Sequence, residues 1–302
     1  MILLDSYITS LCHWVMDTLN GTYTLRIFQS FFEIYFNILP YLIISILIQV
    51  TLIYYIQKGK ISLVVKNKAL AIIVGSLLGM LSPLPTYAAI PIGVALIPLG
   101  LPIAAVMAFI IASPLINPSI FFLTATQLGI EMAMARVIAT FIISLTGGFF
   151  FGYIIKNLEP TMLKVKKVYK ERPFHVELWR STLFFGKYFT IAIFISAIVK
   201  AVVSPEMVNQ IMGQHVQRSL LVAITLGVPF YSCGGAAIPF VEVLSDMGMN
   251  KGAVLAFFIA GPATKLETMY MFKSILGIKF FLIYLGLTLV GAYFAGLIYA
   301  FQ

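Results

Sequence analysis

The chain has 302 residues, of which 61% are hydrophobic and only 10% are charged. A mean hydropathy of +1.01 excludes a water-soluble globular domain, and apolar runs longer than the roughly 20 residues that cross a bilayer predict a protein with several spans. The net charge of +9 does not indicate nucleic-acid binding, because the lysines cluster in loops beside apolar segments, where the positive-inside rule explains them.

The first half of the chain begins with residues 1–25, whose mixture of apolar and polar side chains predicts a short interfacial segment. Residues 26–57 predict the first spanning helix, and the lysine-rich loop after it predicts a cytoplasmic side. The next apolar stretch, residues 69–98, contains prolines at positions 83, 85 and 91. Because proline removes a helical hydrogen bond, this stretch predicts a broken helix.

A second interruption is the Ser-Pro-Leu-Ile-Asn-Pro run at residues 113–118, in the middle of the apolar residues 101–128. A helix over residues 101–112 would extend about 18 Å, which is short of the roughly 30 Å hydrocarbon core. We therefore predict a re-entrant hairpin with its tip at mid-membrane. Residues 129–155 predict a plain span, in which Gly147 and Gly148 would allow close helix contact. Glu131 and Arg136 in this span would either pair or reach water separately.

Residues 156–180 form the one polar linker, and their lysines and arginines predict a second cytoplasmic loop. With both basic loops on one side, the segments between them must cross an even number of times. The two transmembrane repeats, residues 26–155 and 181–302, are therefore predicted to have opposite orientations. In the second repeat we predict a span at residues 181–203, an interfacial connector at 204–217, a broken helix at 218–244, a hairpin at 250–276 and a closing span at 278–301.

The two halves match at a constant offset of 148 residues, without a gap. This shift aligns Gly79 with Gly227, Pro114 with Pro262, and the Ala-Ala-Ile-Pro run at residues 88–91 with the same run at residues 236–239. Matched glycines and prolines are informative in apolar sequence, because each fixes a special backbone geometry. We predict an all-α polytopic membrane protein built from two inverted repeats, each with a broken helix and a re-entrant hairpin.

The second break, residues 227–239, indicates where a binding site would lie. Its glycines and prolines release backbone N–H and C=O groups, which are tolerated inside a membrane only within protein or beside a wet cavity. The paired breaks and hairpin tips are therefore the predicted substrate site. The predicted substrate-binding residues are Thr86, Tyr87, Asn117, Tyr231, Ser232, Cys233, Gly234, Gly235, Thr264 and Lys265.

Three charged residues near the second break are candidates for coupling. Lys265 would neutralise an anionic substrate or exchange a proton, and its alternative is a lysine that reaches the membrane interface. Glu242 is predicted, together with Lys265, to couple an ion or proton. Asp246 lies one turn beyond Glu242, and a solvated helix end is its alternative. Cys233 would either bind a soft ligand or pack as a small residue.

Runs at the breaks and tips resemble a known family. They are residues 108–118, 231–239 and 256–264, and they are similar to the predicted permease family that includes the ArsP organoarsenical efflux permeases. The resemblance covers most of the chain. It implies a multi-spanning permease of the bacterial inner membrane, and some members of the family export trivalent organoarsenicals.

One motif departs from the arsenical exporters, which carry a Cys-Ser-Cys type motif before Ile-Pro at the first break. This chain has Pro85-Thr86-Tyr87 at those positions. Trivalent arsenic prefers thiolate ligands, and only Cys233 remains in a break. We keep the permease class and leave the solute as a metalloid, a thiol compound or a small anion.

We predict a secondary transporter that works by alternating access, with the lipid bilayer and a small-molecule or ion substrate as partners. A channel, or the membrane subunit of a larger transport complex, is the alternative, and a homo-oligomer is compatible with the sequence. We expect no enzyme, because Cys233 has no histidine in an apolar span as its base. We also expect no metal or cofactor, since Cys12 and Cys233 match no zinc motif and no nucleotide-binding Gly-Lys loop occurs.

Overall fold

A computed structural model describes residues 23–58, 67–82, 89–90, 92–93, 97, 101–154, 173–230, 237–264, 268, 270, 272–273 and 276–301. All regular secondary structure in these ranges is helical, which confirms the all-α class. The longer helices are α1 (Tyr23–Lys58), α2 (Lys68–Leu81), α3 (Ile103–Ala112), α4 (Pro118–Gln127), α5 (Ile130–Ile154), α6 (Phe174–Val202), α7 (Pro205–Met212), α8 (Val216–Phe230), α9 (Ala237–Asp246), α10 (Lys251–Ala263) and α11 (Ile278–Tyr299).

Local sequence explains where several helices begin. The side chain of Asn67 accepts hydrogen bonds from the first backbone amides of α2, and Asn117 does the same for α4. Gly129 and Gly277, with φ of 90° and 93°, precede α5 and α11. This backbone geometry favours glycine because a Cβ would be strained there. The two glycines are 148 residues apart, so the same turn is built twice.

The helices of the two halves follow the predicted offset. α2 and α8, α3 and α10, and α5 and α11 each begin 148 residues apart. A Cβ on Gly148 would lie 2.9 Å from the Cβ of Ala108, and a Cβ on Gly296 would lie 2.9 Å from the Cβ of Ala256. These two contacts are also 148 residues apart, so the packing repeats along with the helix order. The close helix contact predicted at Gly148 is thereby confirmed.

The centre of the protein is formed by α3 and α10. Residues 105–112 of α3 and 252–263 of α10 are all buried, as expected for helices that are apolar on every side. α3 packs against α2 and α5, and α10 packs against α8 and α11 in the same way. The first limbs of both predicted hairpins therefore lie in the core.

α5 and α11 also pack against each other, and they run in opposite directions. A Cβ on Gly291 of α11 would lie 2.8 Å from Cγ1 of Ile143 in α5. Further along α5, the ring of Phe151 stacks on Phe280, which lies earlier in α11, with 6.0 Å between centroids. Contacts that advance along one helix while they retreat along the other define an antiparallel pair.

The helix lengths bear on how the chain crosses a bilayer. Among the described residues, α5 and α11 are long and apolar enough to cross, and a third span results if α6 and α7 count as one across their bend of 102°. α6 begins at Phe174, directly after Pro173 and earlier than the predicted start of this span at residue 181. The helix interruption predicted at residues 113–118 is present between α3 and α4. Of the one predicted at residues 227–239, residues 231–236 lie outside the described residues, and helix is described up to Phe230 and from Ala237. The re-entrant course of the hairpins and the inversion of the repeats stay predictions.

Candidate functional site

Of the predicted site residues, the structure describes Asn117, Glu242 and Thr264. The remaining predicted site residues lie outside the described residues, namely Thr86, Tyr87, Tyr231, Ser232, Cys233, Gly234, Gly235 and Lys265. The geometry of the candidate site is therefore built from the two tips and from the helix that follows the second break.

Asn117 lies in the turn between α3 and α4, with only 7% of its surface exposed. Its Oδ1 accepts a hydrogen bond of 2.9 Å from the backbone N–H of Ile120, and Pro118 occupies the first helical position. Proline fits there because its missing N–H is not needed in the first turn. The amide oxygen thus caps α4, and the amide nitrogen is the part of Asn117 that could serve a solute.

The second tip is shaped by threonine hydroxyls. Thr264 ends α10, and its Oγ1 donates to the backbone carbonyl of Gly261 at 3.0 Å. Thr268 donates in the same way to the carbonyl of Pro262 at 3.1 Å. Backbone carbonyls freed by a helix end need partners inside a membrane, and these hydroxyls supply them. Thr264 therefore has a structural role at the position where a substrate contact was predicted.

Glu242 of α9 meets Gln127, the last residue of α4. In the amide orientation that satisfies both side chains, Nε2 of Gln127 donates to the two carboxylate oxygens of Glu242 at 3.0 and 3.1 Å. Asp246 and Lys200 both act electrostatically on this carboxylate, with opposite signs. Because α4 belongs to the first half and α9 to the second, this polar contact joins the two halves. Sequence reasoning missed Gln127, which had no signal of its own.

Lys200 connects this group to the first helix. Its Nζ lies 2.9 Å from Oε2 of Glu33 in α1, and the side chains are 40% and 60% exposed. Exposed ion pairs contribute little to stability, about 0–1 kcal/mol. The pair therefore adds little to the packing of α1 against α6, and its ammonium is the group that acts on Glu242. We call Glu33, Gln127, Lys200, Glu242 and Asp246 the polar cluster.

Arg136 of α5 is a residue whose role the sequence did not predict. Its side chain is fully buried. The predicted alternative in which Arg136 reaches water is therefore wrong. Nε donates to the backbone carbonyl of Leu115 at 3.0 Å, and Nη1 donates to Oγ1 of Thr124 at 3.2 Å. Its Cζ also lies 4.4 Å from the ring centroid of Phe258 in α10. One side chain thus contacts both hairpins.

Three buried hydroxyls of the first half lie apart from these contacts. Among the described residues, the side chains of Ser76, Ser82 and Thr140 make no hydrogen bond within the protein. Ser82 ends α2, directly before the first break. Buried polar atoms normally find a partner, so these hydroxyls mark positions where water or a solute would be stabilised. The described residues contain no group of three or more His, Cys, Asp or Glu side chains suited to a metal ion.

Comparison with known proteins decides the family. The ArsP_1 family, described as a predicted permease, matches residues 24–301. The chain belongs to this family. This match confirms the resemblance read from the break and tip motifs, and it makes the ArsP_1 chain a membrane permease, which implies a transporter rather than an enzyme. It does not identify a solute.

Individual relatives of this ArsP_1 permease are distant but nearly full-length. The UPF0718 protein YcgR of Bacillus subtilis is 25% identical over 266 residues, which cover 82% of this chain and 87% of the relative. A Streptococcus mutans protein named "Putative two-component membrane permease complex subunit" is 22% identical over 276 residues, covering 87% and 91%. No solved structure shows significant similarity to the chain.

Proposed function

We propose that this permease is a secondary transporter that moves a small solute by alternating access between two inverted halves, in the cytoplasmic membrane of a bacterium. The observation that carries the proposal is the contact between Ile143 and Gly291, which are equivalent residues 148 positions apart. Equivalent helices that cross at equivalent residues and run antiparallel are related by a twofold axis perpendicular to them. If α5 and α11 both span the bilayer, that axis lies in the membrane plane, as in inverted-repeat transporters.

The proposed solute site lies where the two breaks and the two tips meet. Asn117 and Thr264 belong to it from the described residues, and Lys265 is the partner of Asn117 at the offset of 148 residues. The two tips would then present one neutral amide and one cation to the same cavity. An ammonium in a desolvated site favours anionic or proton-releasing solutes, and Cys233 favours soft ones. The proposed solute classes are a metalloid, a thiol compound and a small anion.

The proposed coupling group is Glu242. A carboxylate that accepts two hydrogen bonds from Gln127 and lies near both Lys200 and Asp246 would change its contacts on gaining or losing a proton. Its contact crosses between the halves, so a change in its charge would act on the relative position of α4 and α9. This placement supports proton or cation coupling at the interface that alternating access has to remodel.

Flux measurements test the proposal directly. The purified full chain in liposomes would be given methylarsenite, glutathione or phosphate under an imposed pH gradient. We expect saturable flux of at least one probe, with a rate that depends on the gradient. Flux that rises linearly with concentration and ignores the gradient would support a channel instead. Empty liposomes and liposomes with the Glu242→Gln variant provide the controls.

A second candidate is that the chain is one subunit of a two-component permease complex. The printed name of the Streptococcus mutans relative is the observation that favours it. The chain would then need another polypeptide for flux. Affinity purification from mildly solubilised membranes tests this, since a genuine subunit should bring down one second polypeptide in a constant ratio. Recovery of the chain alone, with flux intact, would exclude this candidate. The mass of the purified particle in the same experiment shows whether the chain forms a homo-oligomer.

A further inference from the structure

We infer that Arg136 is a positioning residue that fixes the tip of the first hairpin, and with it Asn117, against α5 and against the second hairpin. The inference rests on the proposed function only in giving Asn117 a place in the solute site. It starts from the burial of the guanidinium, which has no exposed surface although α5 is long and apolar enough to span a membrane. A charge in that setting is costly and is retained where it does a specific task.

The backbone carbonyl of Leu115 is the first group that Arg136 holds. This residue lies in the turn between α3 and α4, two residues before Asn117, where the helix has ended. Nε of Arg136 donates to its carbonyl oxygen at 3.0 Å. A guanidinium offers five donors in a rigid fork, so it can hold this carbonyl and a second group at once. The turn is therefore anchored to α5 at a backbone atom.

The second step is a relay of hydrogen bonds that returns to Asn117. Nη1 of Arg136 donates to Oγ1 of Thr124, and the hydroxyl of Thr124 donates to the carbonyl of Ile120 at 2.7 Å. The backbone N–H of Ile120 in turn donates to Oδ1 of Asn117. The guanidinium thus supports the turn from Leu115 on one side and the first turn of α4 from Thr124 on the other. The orientation of the Asn117 amide depends on both.

The third step joins the two halves. Cζ of Arg136 lies 4.4 Å from the ring centroid of Phe258, which is fully buried in α10. A cation over the face of a desolvated aromatic ring is attracted by the electrons of the ring. Because α10 carries Thr264 at its end, Arg136 sets the distance between the helices that present the two tips. A neutral side chain of similar size would keep the packing and lose this attraction.

The second half shows that the fold itself does not require a charge at this position. The residue 148 positions after Arg136 is Tyr284, and the residue 148 positions after Thr124 is Phe272. Their rings stack with 4.6 Å between centroids, and both side chains are fully buried. An aromatic pair thus fills the space that Arg136 and Thr124 fill in the first half. We therefore attribute the guanidinium of Arg136 to the groups that it binds. The aromatic pair of the second half serves as a neutral replacement for Arg136 and Thr124 in a mutational test.

Hydrogen exchange of the full chain in lipid nanodiscs tests the inference without any solute. The variants are Arg136→Met, Arg136→Lys and the double variant Thr124→Phe with Arg136→Tyr, which copies the second half. We expect backbone amides of residues 113–120 to exchange at least about tenfold faster in the Met and double variants, and by a smaller factor in the Lys variant. Amides of α11 should be unchanged. Tyr284→Phe is the matched control and should leave residues 113–120 as in the wild type.

The double variant separates positioning from packing. Wild-type exchange at residues 113–120 in the double variant would show that any well-packed pair suffices, which would overturn the inference. Wild-type exchange in Arg136→Met would overturn it as well. If Arg136→Met fails to fold, the Lys and double variants still test whether the guanidinium positions residues 113–120. The Lys variant keeps the charge without the forked guanidinium donors, and the double variant keeps the packing.

Flux distinguishes this inference from the proposed function. Where a probe is transported, we expect the Arg136 variants to raise the KM for that probe in parallel with the faster exchange. Lost flux with unchanged exchange would make Arg136 a solute contact rather than a positioning residue, and would overturn the inference. Absence of flux in the wild type for every probe would count against the proposed function, while the exchange result would still decide the role of Arg136.

Discussion

At the scale of single residues, Asn117 caps α4 and is proposed to contact the solute, and mutation can separate the two roles. Its Oδ1 is occupied by the backbone N–H of Ile120, so it acts as the cap of α4 whatever else it does. The proposed solute contact would use the amide nitrogen. Serine is as good a helix cap as asparagine and carries an acceptor, but it lacks the two amide donors.

We expect Asn117→Ser to keep the stability of the wild type and to lose flux. Asn117→Ala should lose flux too and should cost about 1 kcal/mol of folding free energy, since the cap is removed. Thermal unfolding of the two variants in detergent, beside liposome flux, measures both effects. Normal flux in the serine variant would show that Asn117 is a cap and nothing more.

Glu242 is the residue on which proton coupling is proposed to depend. We expect Glu242→Gln to abolish the response of flux to a pH gradient, because the amide cannot exchange a proton although it can still hydrogen-bond Gln127. Glu206→Gln is the control, since Glu206 is an exposed acid in the first turn of α7, outside the polar cluster. It should retain the response. A pH response that survives in the Glu242 variant would assign the coupling to another group.

Lys265 distinguishes charge attraction from proton exchange. We expect Lys265→Ala to lose flux and Lys265→Arg to retain much of it if the lysine only attracts an anion, since arginine keeps the charge. Loss of proton-coupled flux in both variants, with normal folding, would instead indicate that Lys265 carries the proton. Wild-type flux in the alanine variant would show that the lysine reaches the membrane interface and lies outside the site.

At the scale of helices, glycine sets how closely α5 can approach α3. A Cβ on Gly148 would lie 2.9 Å from the Cβ of Ala108 and 3.0 Å from the backbone oxygen of Ala104. The backbone oxygen cannot move without shifting α3. Gly296 meets the equivalent atoms of α10, including the Cβ of Ala256 at 2.9 Å. Close approach of the closing helix to the central helix is therefore a property of both repeats.

We expect Gly148→Ala and Gly296→Ala each to cost about 1–3 kcal/mol, the usual penalty for overpacking a tight contact. Gly286→Ala is the control, because among the described residues no atom outside its own helix backbone lies within 4 Å of the added Cβ. It should be neutral or slightly stabilising, since alanine favours a helix. Apparent unfolding midpoints in one detergent would compare the three. Equal midpoints for all would show that the contact relaxes freely.

At the scale of the whole molecule, the proposed inverted arrangement is the feature on which the proposed alternating access depends. The antiparallel contact of α5 with α11 supports it, because these helices occupy equivalent places in the two repeats. If the halves are inverted, both lysine-rich loops lie on the same side of the membrane. The loops that contain Lys60 and Lys167 should therefore both face the cytoplasm.

Single cysteines at Lys60 and Lys167 test this topology, in a background where Cys12 and Cys233 are replaced by serine. We expect an impermeant maleimide to label both positions in inverted vesicles and neither in intact cells. Labelling of one position from outside and of the other from inside would contradict the inverted arrangement. A cysteine at Gly21, before α1, controls for leaky vesicles.

The sequence by itself determined the helix interruption at residues 113–118, the offset between the halves and the close packing at Gly148. The reason is that proline and glycine act on their own backbone, so their effect can be read without knowing the neighbours. The cap at Asn117 is local too, because an asparagine before a proline is a standard start of a helix, but the residue was predicted only as a solute contact. The family resemblance rested on the same break and tip motifs.

Only the tertiary structure decided the contacts between distant residues. Arg136 bonds to residues 21 and 12 positions away and to a ring in the other half, and Gln127 meets a carboxylate far along the chain. No local pattern predicts such partners, since a guanidinium or amide takes whichever donor or acceptor the packing brings near. Sequence could place the charges in apolar helices, but their roles follow from how those helices pack.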